Sequence, residues 1–108
     1  MQYRKLGKTG LNVSEIGYGG GRIKKDQDRK ELISLIHKAL DQGINYIDTA
    51  PTYGDGFSET TIGEAIKGHS CIVATKTKAY NADNVRTSVE SSLKRLNVET
   101  IDVLQFHG

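Results

Sequence analysis

The sequence contains one cysteine, Cys71, so no disulfide can form within the chain. It has no Cys-x-x-Cys and no His-x-His pattern, which removes the usual ligand spacings of a zinc site, and no metal is expected. Charge of one sign is not in excess: 15 Lys and Arg stand against 13 Asp and Glu, for a net +2. The basic residues are scattered, in no run longer than pairs such as Lys24-Lys25 and Lys94-Arg95, which suits a solvated surface better than a binding patch. No nucleic-acid partner is therefore expected. No apolar run is long enough to cross a bilayer, and no membrane partner is expected either. The opening residues are polar and charged, unlike a signal peptide, so the expected location is cytoplasmic. Asn12-Val13-Ser14 fits the glycosylation pattern but reads as chance without a secretion signal. A phosphate loop of the form G-x-x-x-x-G-K-[ST] is also absent.

What is present suits one small domain. The chain has 108 residues, 36% hydrophobic and 26% charged, a composition that favours a packed fold over disorder. Cys71 heads the apolar run Cys71-Ile72-Val73-Ala74 and reads as a buried thiol.

Hydrophobic periodicity orders the elements. Gln2 to Glu15 reads as a β-hairpin: Gly7-Lys8-Thr9-Gly10 supplies the turn, and Leu11 and Val13 alternate with polar neighbours. Glu15 to Gly21 is a short strand running into a glycine loop. Asp26 or Asp28 then caps a helix whose apolar face is Leu32, Ile33, Leu35, Ile36, Ala39 and Leu40, ended by Gly43. Ile44 to Asp48 is the second strand. A loop with Pro51, Tyr53, Gly54 and Gly56 leads to a helix with Ser58 as expected N-cap and Glu59 placed for the helix dipole. Its buried face is Ile62, Ala65 and Ile66, and Gly68 stops it. Cys71 to Lys76 is the third strand. The last helix has a buried line of Val85, Val89, Leu93 and Leu96, a Glu90–Lys94 pair one turn apart and Asn97 as left-handed C-cap. Ile101 to Phe106 is the fourth strand, before His107-Gly108.

Strands separated by single helices mean a parallel sheet with right-handed crossovers, so the fold class is α/β. Periodicity leaves two closures open, a doubly wound sheet or a (β/α)8 barrel. The glycine loop does not decide for the former, because Gly17 and Gly19 fit G-x-G but Arg22 stands at the third glycine position.

Four polar residues stand at or just past the ends of successive strands: Asp48, Tyr53, Lys76 and His107. In a parallel α/β fold these ends open on one face, where barrel enzymes build their sites. Each residue alone reads as structural: Asp48 capping its loop, Tyr53 in an amphipathic loop, Lys76 solvated, His107 exposed near the end. Together they form an acid catalyst. Hydride delivery to a carbonyl leaves negative charge on oxygen, and a proton must follow. A tyrosine can give it, but a free phenol has a pKa of about 10. A nearby ammonium favours the phenolate, a carboxylate keeps that ammonium charged and oriented, and a histidine can hydrogen-bond the carbonyl oxygen. Lys78 shares strand parity with Lys76, so alternation does not separate the two.

The segment Gly43-Ile44-Asn45-Tyr46-Ile47-Asp48-Thr49-Ala50-Pro51-Thr52-Tyr53-Gly54, followed by Ser58-Glu59-Thr60-Thr61-Ile62-Gly63, closely resembles the signature of the aldo-keto reductases. Val73-Ala74-Thr75-Lys76 resembles their third strand, and Val89 to Leu96 with Ile101 to His107 resembles the helix and strand leading to their histidine. Tyr3 to Leu11 resembles the hairpin that plugs the bottom of their barrel. The resemblance implies the first four units of a (β/α)8 TIM barrel behind an N-terminal hairpin, with residues 1–108 as the N-terminal part of one barrel domain. It implies NADPH-dependent reduction of an aldehyde or ketone, with Tyr53 as proton donor, Lys76 and Asp48 tuning it and His107 orienting the carbonyl. It also implies that Gly20, Gly21, Arg22 and Asp48 approach the nicotinamide end of the cofactor. The run Gly19-Gly20-Gly21 departs from the commoner family form, which has a threonine or bulkier residue there.

A barrel needs eight strands and roughly 250 residues. The expectation is therefore a truncated reading frame or excised fragment, without the family's basic residues for the adenosine 2′-phosphate. The isolated chain is expected to be inactive and to self-associate through its open sheet edges. Two other readings are a non-catalytic regulatory protein, like the potassium-channel β subunits of this family, and a half-barrel scaffold.

Overall fold

The computed structural model describes residues 1–108. Two short strands, β1 (Tyr3–Lys5) and β2 (Asn12–Ser14), pair antiparallel with Tyr3 opposite Ser14. There follow β3 (Tyr18–Gly19), α1 (Arg29–Asp41), β4 (Tyr46–Asp48), a 3-10 turn (Tyr53–Gly56), α2 (Phe57–Ile66), β5 (Ile72–Thr77), α3 (Ala82–Leu96) and β6 (Val103–Phe106). Strands β3 to β6 form one parallel sheet in chain order. The expected hairpin and four-strand alternation are both present.

The hairpin docks at the N-terminal end of the sheet through Asn45, the residue before β4. The Asn45 side-chain oxygen accepts from the Ser14 amide at 2.7 Å, and its amide group donates to the Asn12 carbonyl at 2.9 Å. The Asn45 backbone N–H donates to the Ser14 hydroxyl at 3.0 Å. Leu11 lies outside β2, so the strand is shorter than its alternation suggested.

The helix ends follow local chemistry. Asp28, rather than Asp26, caps α1 by accepting from the Lys30 amide at 2.9 Å, and Gly43 turns the chain at φ 97°. Asn81 caps α3 by accepting from the Asn84 amide, and Asn97 closes it in the left-handed conformation (φ 54°). Ser58 is not the cap of α2. Gly56 holds that place at φ 91° with no side-chain bond, and Ser58 is turned inward and fully buried.

The core lies between the helices and one face of the sheet. It joins Ile23, Leu32 and Ile36 to Ile47 and Val73 of the strands, Ile62, Ala65 and Ile66 of α2, and Leu96 of α3. Leu35 departs from the expected apolar face of α1 and is 53% exposed. On α3 the buried line runs through Ser92 and Leu96, with Leu93 only half-buried, and the Glu90–Lys94 pair does not form. The opposite sheet face carries Tyr46, Ile72 and Val103, all half-buried. Ala74 shares that face but is fully buried, a methyl between its register neighbours Asp48 and Val103. On the edge strand β6, Leu104 and Phe106 have no helix over them, and Phe106 is 80% exposed. The Cys71 thiol is half-buried. Burial, then the Asp102 carboxylate, pushes its pKa up to about 11, which leaves it protonated and unreactive near neutral pH.

Helix α2 is buried on nearly every side, and its polar residues bind it to its neighbours. Glu59 is completely buried. Its carboxylate accepts from Arg95 Nε on α3 at 2.6 Å and from the Thr75 hydroxyl on β5 at 2.7 Å. Gly63 is equally constrained, since a Cβ there would strike the Leu96 backbone carbonyl. Removing one partner of a buried pair leaves the other charge uncompensated, which costs about 3–5 kcal/mol. Arg95→Met, which keeps most of the apolar stem, is expected to lower stability by roughly that amount in urea unfolding. A loss under about 1 kcal/mol would show that Glu59 finds another partner.

Candidate active site

The four candidate residues meet at the C-terminal end of the parallel strands. Asp48 is the last residue of β4, and Lys76 is the fifth of six in β5. Both point to the sheet face away from the helices, because Ile47, Val73, Thr75 and Thr77 occupy the helix side. Lys76 Nζ donates to Asp48 Oδ2 and to the Thr49 carbonyl, each at 2.8 Å. The lysine side chain is only 12% exposed.

Tyr53 reaches the same point from the loop after β4. That loop turns tightly because three successive residues, Gly54, Asp55 and Gly56, adopt positive φ (60°, 52° and 91°). A Cβ at Gly54 would also meet the Ile23 carbonyl at 2.7 Å. The Lys76 ammonium lies 4.7 Å from the centre of the Tyr53 ring. The His107 ring stands edge-on to Tyr53, with centroids 5.8 Å apart and planes at 84°. The His107 backbone N–H donates to the Thr77 carbonyl, which carries the residue just past β6. Thr52 Oγ1 lies 3.5 Å from His107 Nδ1.

The electrostatics follow from these contacts. Burial by itself would depress the Lys76 pKa. The hydrogen bond to Asp48, the polar contact with Tyr53 and the charge of Asp48 outweigh it, so the ammonium is held above the ordinary lysine value. Tyr46 flanks the pair, and burial and then Asp48 raise its phenol while Lys76 opposes them. Lys78 is exposed and bonded to neither Asp48 nor Tyr53, so Lys76 alone enters the cluster.

The glycine loop divides by role. Gly20 is buried under α2, where a Cβ would lie 2.6 Å from Ser58 Oγ and 3.0 Å from Ile62. Its backbone N–H donates to the Asp48 carbonyl at 2.8 Å. Gly21 is exposed, and a Cβ there would touch the Tyr53 ring at 3.7 Å. Arg22 is exposed beside it. Gly19 has open space where a side chain would project, next to its register partner Asp48. The loop therefore anchors at Gly20 and leaves Gly19, Gly21 and Arg22 free around the cluster. Sequence reasoning missed Thr49, whose carbonyl holds Lys76, and the inward turn of Ser58 beneath it. The available signal was that Thr49 directly follows Asp48 and Ser58 opens the Ser58 to Gly63 part of the family-like segment.

A loop tyrosine with a lysine, an aspartate and a histidine gathered at the C-terminal ends of four parallel strands, behind a bottom-docked hairpin, is the arrangement of part of a barrel. Residues 15–108 match the profile of the aldo/keto reductase family, and the chain belongs to that family. An aldo-keto reductase of Bacillus subtilis strain 168, YhdN, is 41% identical across 99% of the chain and 38% of its own length. The holo form of aldo-keto reductase AKR11C1 from Bacillus halodurans superposes with a TM-score of 0.90 and 33% identity, over 100% of this chain and 40% of that one. An aldo-keto reductase from Klebsiella pneumoniae in complex with NADPH superposes at 0.81 with 27% identity, over 89% of this chain and 36% of its own. The chain thus spans about two-fifths of the relatives it matches. Its four parallel strands are part of a (β/α)8 barrel.

Lys76→Met removes two charge-assisted hydrogen bonds from a largely enclosed ammonium and strands Asp48, which is partly open to water. A loss of about 1–2 kcal/mol in urea unfolding is expected, below the full buried-pair cost because water reaches Asp48. Lys78→Met should stay within about 0.5 kcal/mol of the parent, as exposed substitutions do. Equal effects of the two would show that the Lys76–Asp48 pair adds no stability.

Proposed function

We propose that residues 1–108 form the N-terminal, catalytic-residue part of an NADPH-dependent reductase converting aldehydes or ketones to alcohols. The observation that supports it most strongly is Lys76, whose ammonium touches the Asp48 carboxylate and the Tyr53 ring together, with His107 across that ring. In this reading Tyr53 gives its proton to the carbonyl oxygen. The charge of Lys76 offsets the negative charge left on the phenol oxygen. Asp48 keeps the ammonium charged and aimed at Tyr53, and His107 orients the carbonyl by hydrogen bonding.

The open space at Gly19 and the exposed Gly21 beside Tyr53 suit the approach of a flat ring next to Asp48. Gly21, Arg22 and Asp48 would flank the nicotinamide end of NADPH, with Gly20 shaping the loop from beneath. Bound there, the cofactor would supply the hydride. An intact set of proton donor, cation, carboxylate and histidine favours this enzyme reading over a regulatory subunit, which has no need of a proton donor.

The chain covers two-fifths of its relatives, so the decisive experiment joins residues 1–108 to the remaining part of the Bacillus subtilis relative. The chimera is expected to oxidise NADPH with an aromatic aldehyde. Tyr53→Phe should lower that rate by about 10²–10⁴-fold, the usual worth of a positioned proton donor, and leave NADPH fluorescence quenching intact. Full activity in the phenylalanine variant would overturn the assignment. Binding without turnover in the parent chimera would favour the regulatory reading.

The 108-residue chain alone is expected to show no saturable NADPH binding and to self-associate. The sheet has open edges at β3 and β6, and Phe106 and Leu104 stand exposed on the outer edge. Sedimentation as a monomer, with tight NADPH binding by fluorescence titration, would instead make it a working half-barrel.

A further inference from the structure

Beneath the site runs a short chain of buried hydroxyls that the proposed chemistry does not use. Ser58 Oγ donates to the Gly20 carbonyl at 3.1 Å. The same oxygen lies 2.7 Å from Thr49 Oγ1. Ser58 has one hydroxyl hydrogen, and the Gly20 carbonyl takes it, so Thr49 must be the donor of the shorter bond. The chain therefore has one direction, from Thr49 through Ser58 to Gly20, and each link polarises the next. Thr49 and Ser58 are both completely buried, and no water competes for these bonds. Each end of the chain touches the site. The backbone carbonyl of Thr49 holds Lys76 Nζ at 2.8 Å. The Gly20 amide donates to the Asp48 carbonyl, and a Cβ at the next residue, Gly21, would touch the Tyr53 ring.

We infer that Ser58 is a positioning residue for Lys76: through Thr49 it fixes the carbonyl that cradles the ammonium, and through Gly20 it ties the glycine loop to the same point. Asp48 supplies the charge that attracts Lys76, but one carboxylate oxygen defines a distance and not a direction. A second acceptor on a rigid peptide defines the direction. The Thr49 carbonyl is held because its residue is fixed on either side: the Thr49 N–H, in the preceding peptide, donates to the Ala74 carbonyl at 2.9 Å, and the Thr49 side chain bonds Ser58. Without Ser58, the Thr49 hydroxyl and the Gly20 carbonyl lose their partner in a dry place, and the strand-end peptide shifts to satisfy them.

The inference rests on the reductase reading for its purpose, but its test does not read activity. Competitive trace acetylation of the native 108-residue chain, followed by peptide mass spectrometry, compares Lys76 with the exposed Lys78 in the same molecule. Lys76 in the parent is expected to react far more slowly, because its ammonium is enclosed and held. Ser58→Ala and the isosteric Thr49→Val should each raise the Lys76-to-Lys78 ratio by roughly two- to ten-fold, the factor that one hydrogen bond is worth. The double variant should match the single ones, because both break the same chain. Ile62→Val, which loosens the same helix without touching the hydroxyls, should leave the ratio unchanged. Mass spectrometry reads the ratio whether the chain is monomeric or associated, and Thr49→Val carries the test if Ser58→Ala does not fold. An unchanged ratio in the folded hydroxyl variants, or an equal rise in Ile62→Val, would overturn the inference. If the ratio rises and the chimera proves inactive, the positioning stands and the reductase reading falls.

Discussion

A single buried carboxylate holds the architecture in register. Glu59 lies at the start of α2 with no exposure to solvent, gripped by Arg95 of α3 and Thr75 of β5. Hydrophobic packing is non-directional and would tolerate small slides of α2 across the sheet. A charge in a dry interior does not, because leaving its partners costs several kcal/mol. Three elements from distant parts of the chain are thereby locked at one point. Thr75 precedes Lys76 and Ser58 precedes Glu59, so the lock lies one residue away from the groups that shape the site on both strand and helix.

The site inherits its precision from this arrangement. A parallel sheet brings the ends of β4, β5 and β6 to one edge, which collects residues nearly sixty positions apart in sequence. Alternation then sends Asp48 and Lys76 to the open face while their neighbours Ile47 and Thr75 enter the core. The three left-handed residues after Tyr53 let the loop fold back over that face. Each step is a local rule of backbone geometry, and their sum places a cation against a phenol ring.

Much of this was legible in the sequence. The alternation of periods showed the parallel sheet, Asn97 announced its left-handed cap, and the Asp48–Tyr53 segment carried the family resemblance. Strand parity could not separate Lys76 from Lys78, since both have the same phase. The difference is that β5 ends at Thr77, so Lys78 has left the strand and lies exposed. Ser58 and Glu59 were misread for a common reason. Serine and glutamate at a helix start are ordinarily solvent-facing caps and dipole partners. Burial here is decided by Arg95, Thr75 and Gly20, all far away in sequence and invisible to any local window. Leu35 shows the converse error, an apolar residue counted into a helical face that the neighbouring helix does not reach.

The strand order of the sheet is the order of the chain, and this has a consequence for how the protein is made. Each strand from β4 onward pairs with the one before it, and each new helix packs beside the last. During synthesis, each new strand from β4 onward meets its sheet partner already present, while the buried Glu59 waits for Thr75 and Arg95. The hairpin is ready first, and its dock, Asn45, follows within some thirty residues. Growth by accretion on an existing edge keeps loop-closure costs small at each stage. It also means that the growing structure always exposes one unpaired strand, and the timing of the next one decides how long that edge stays bare.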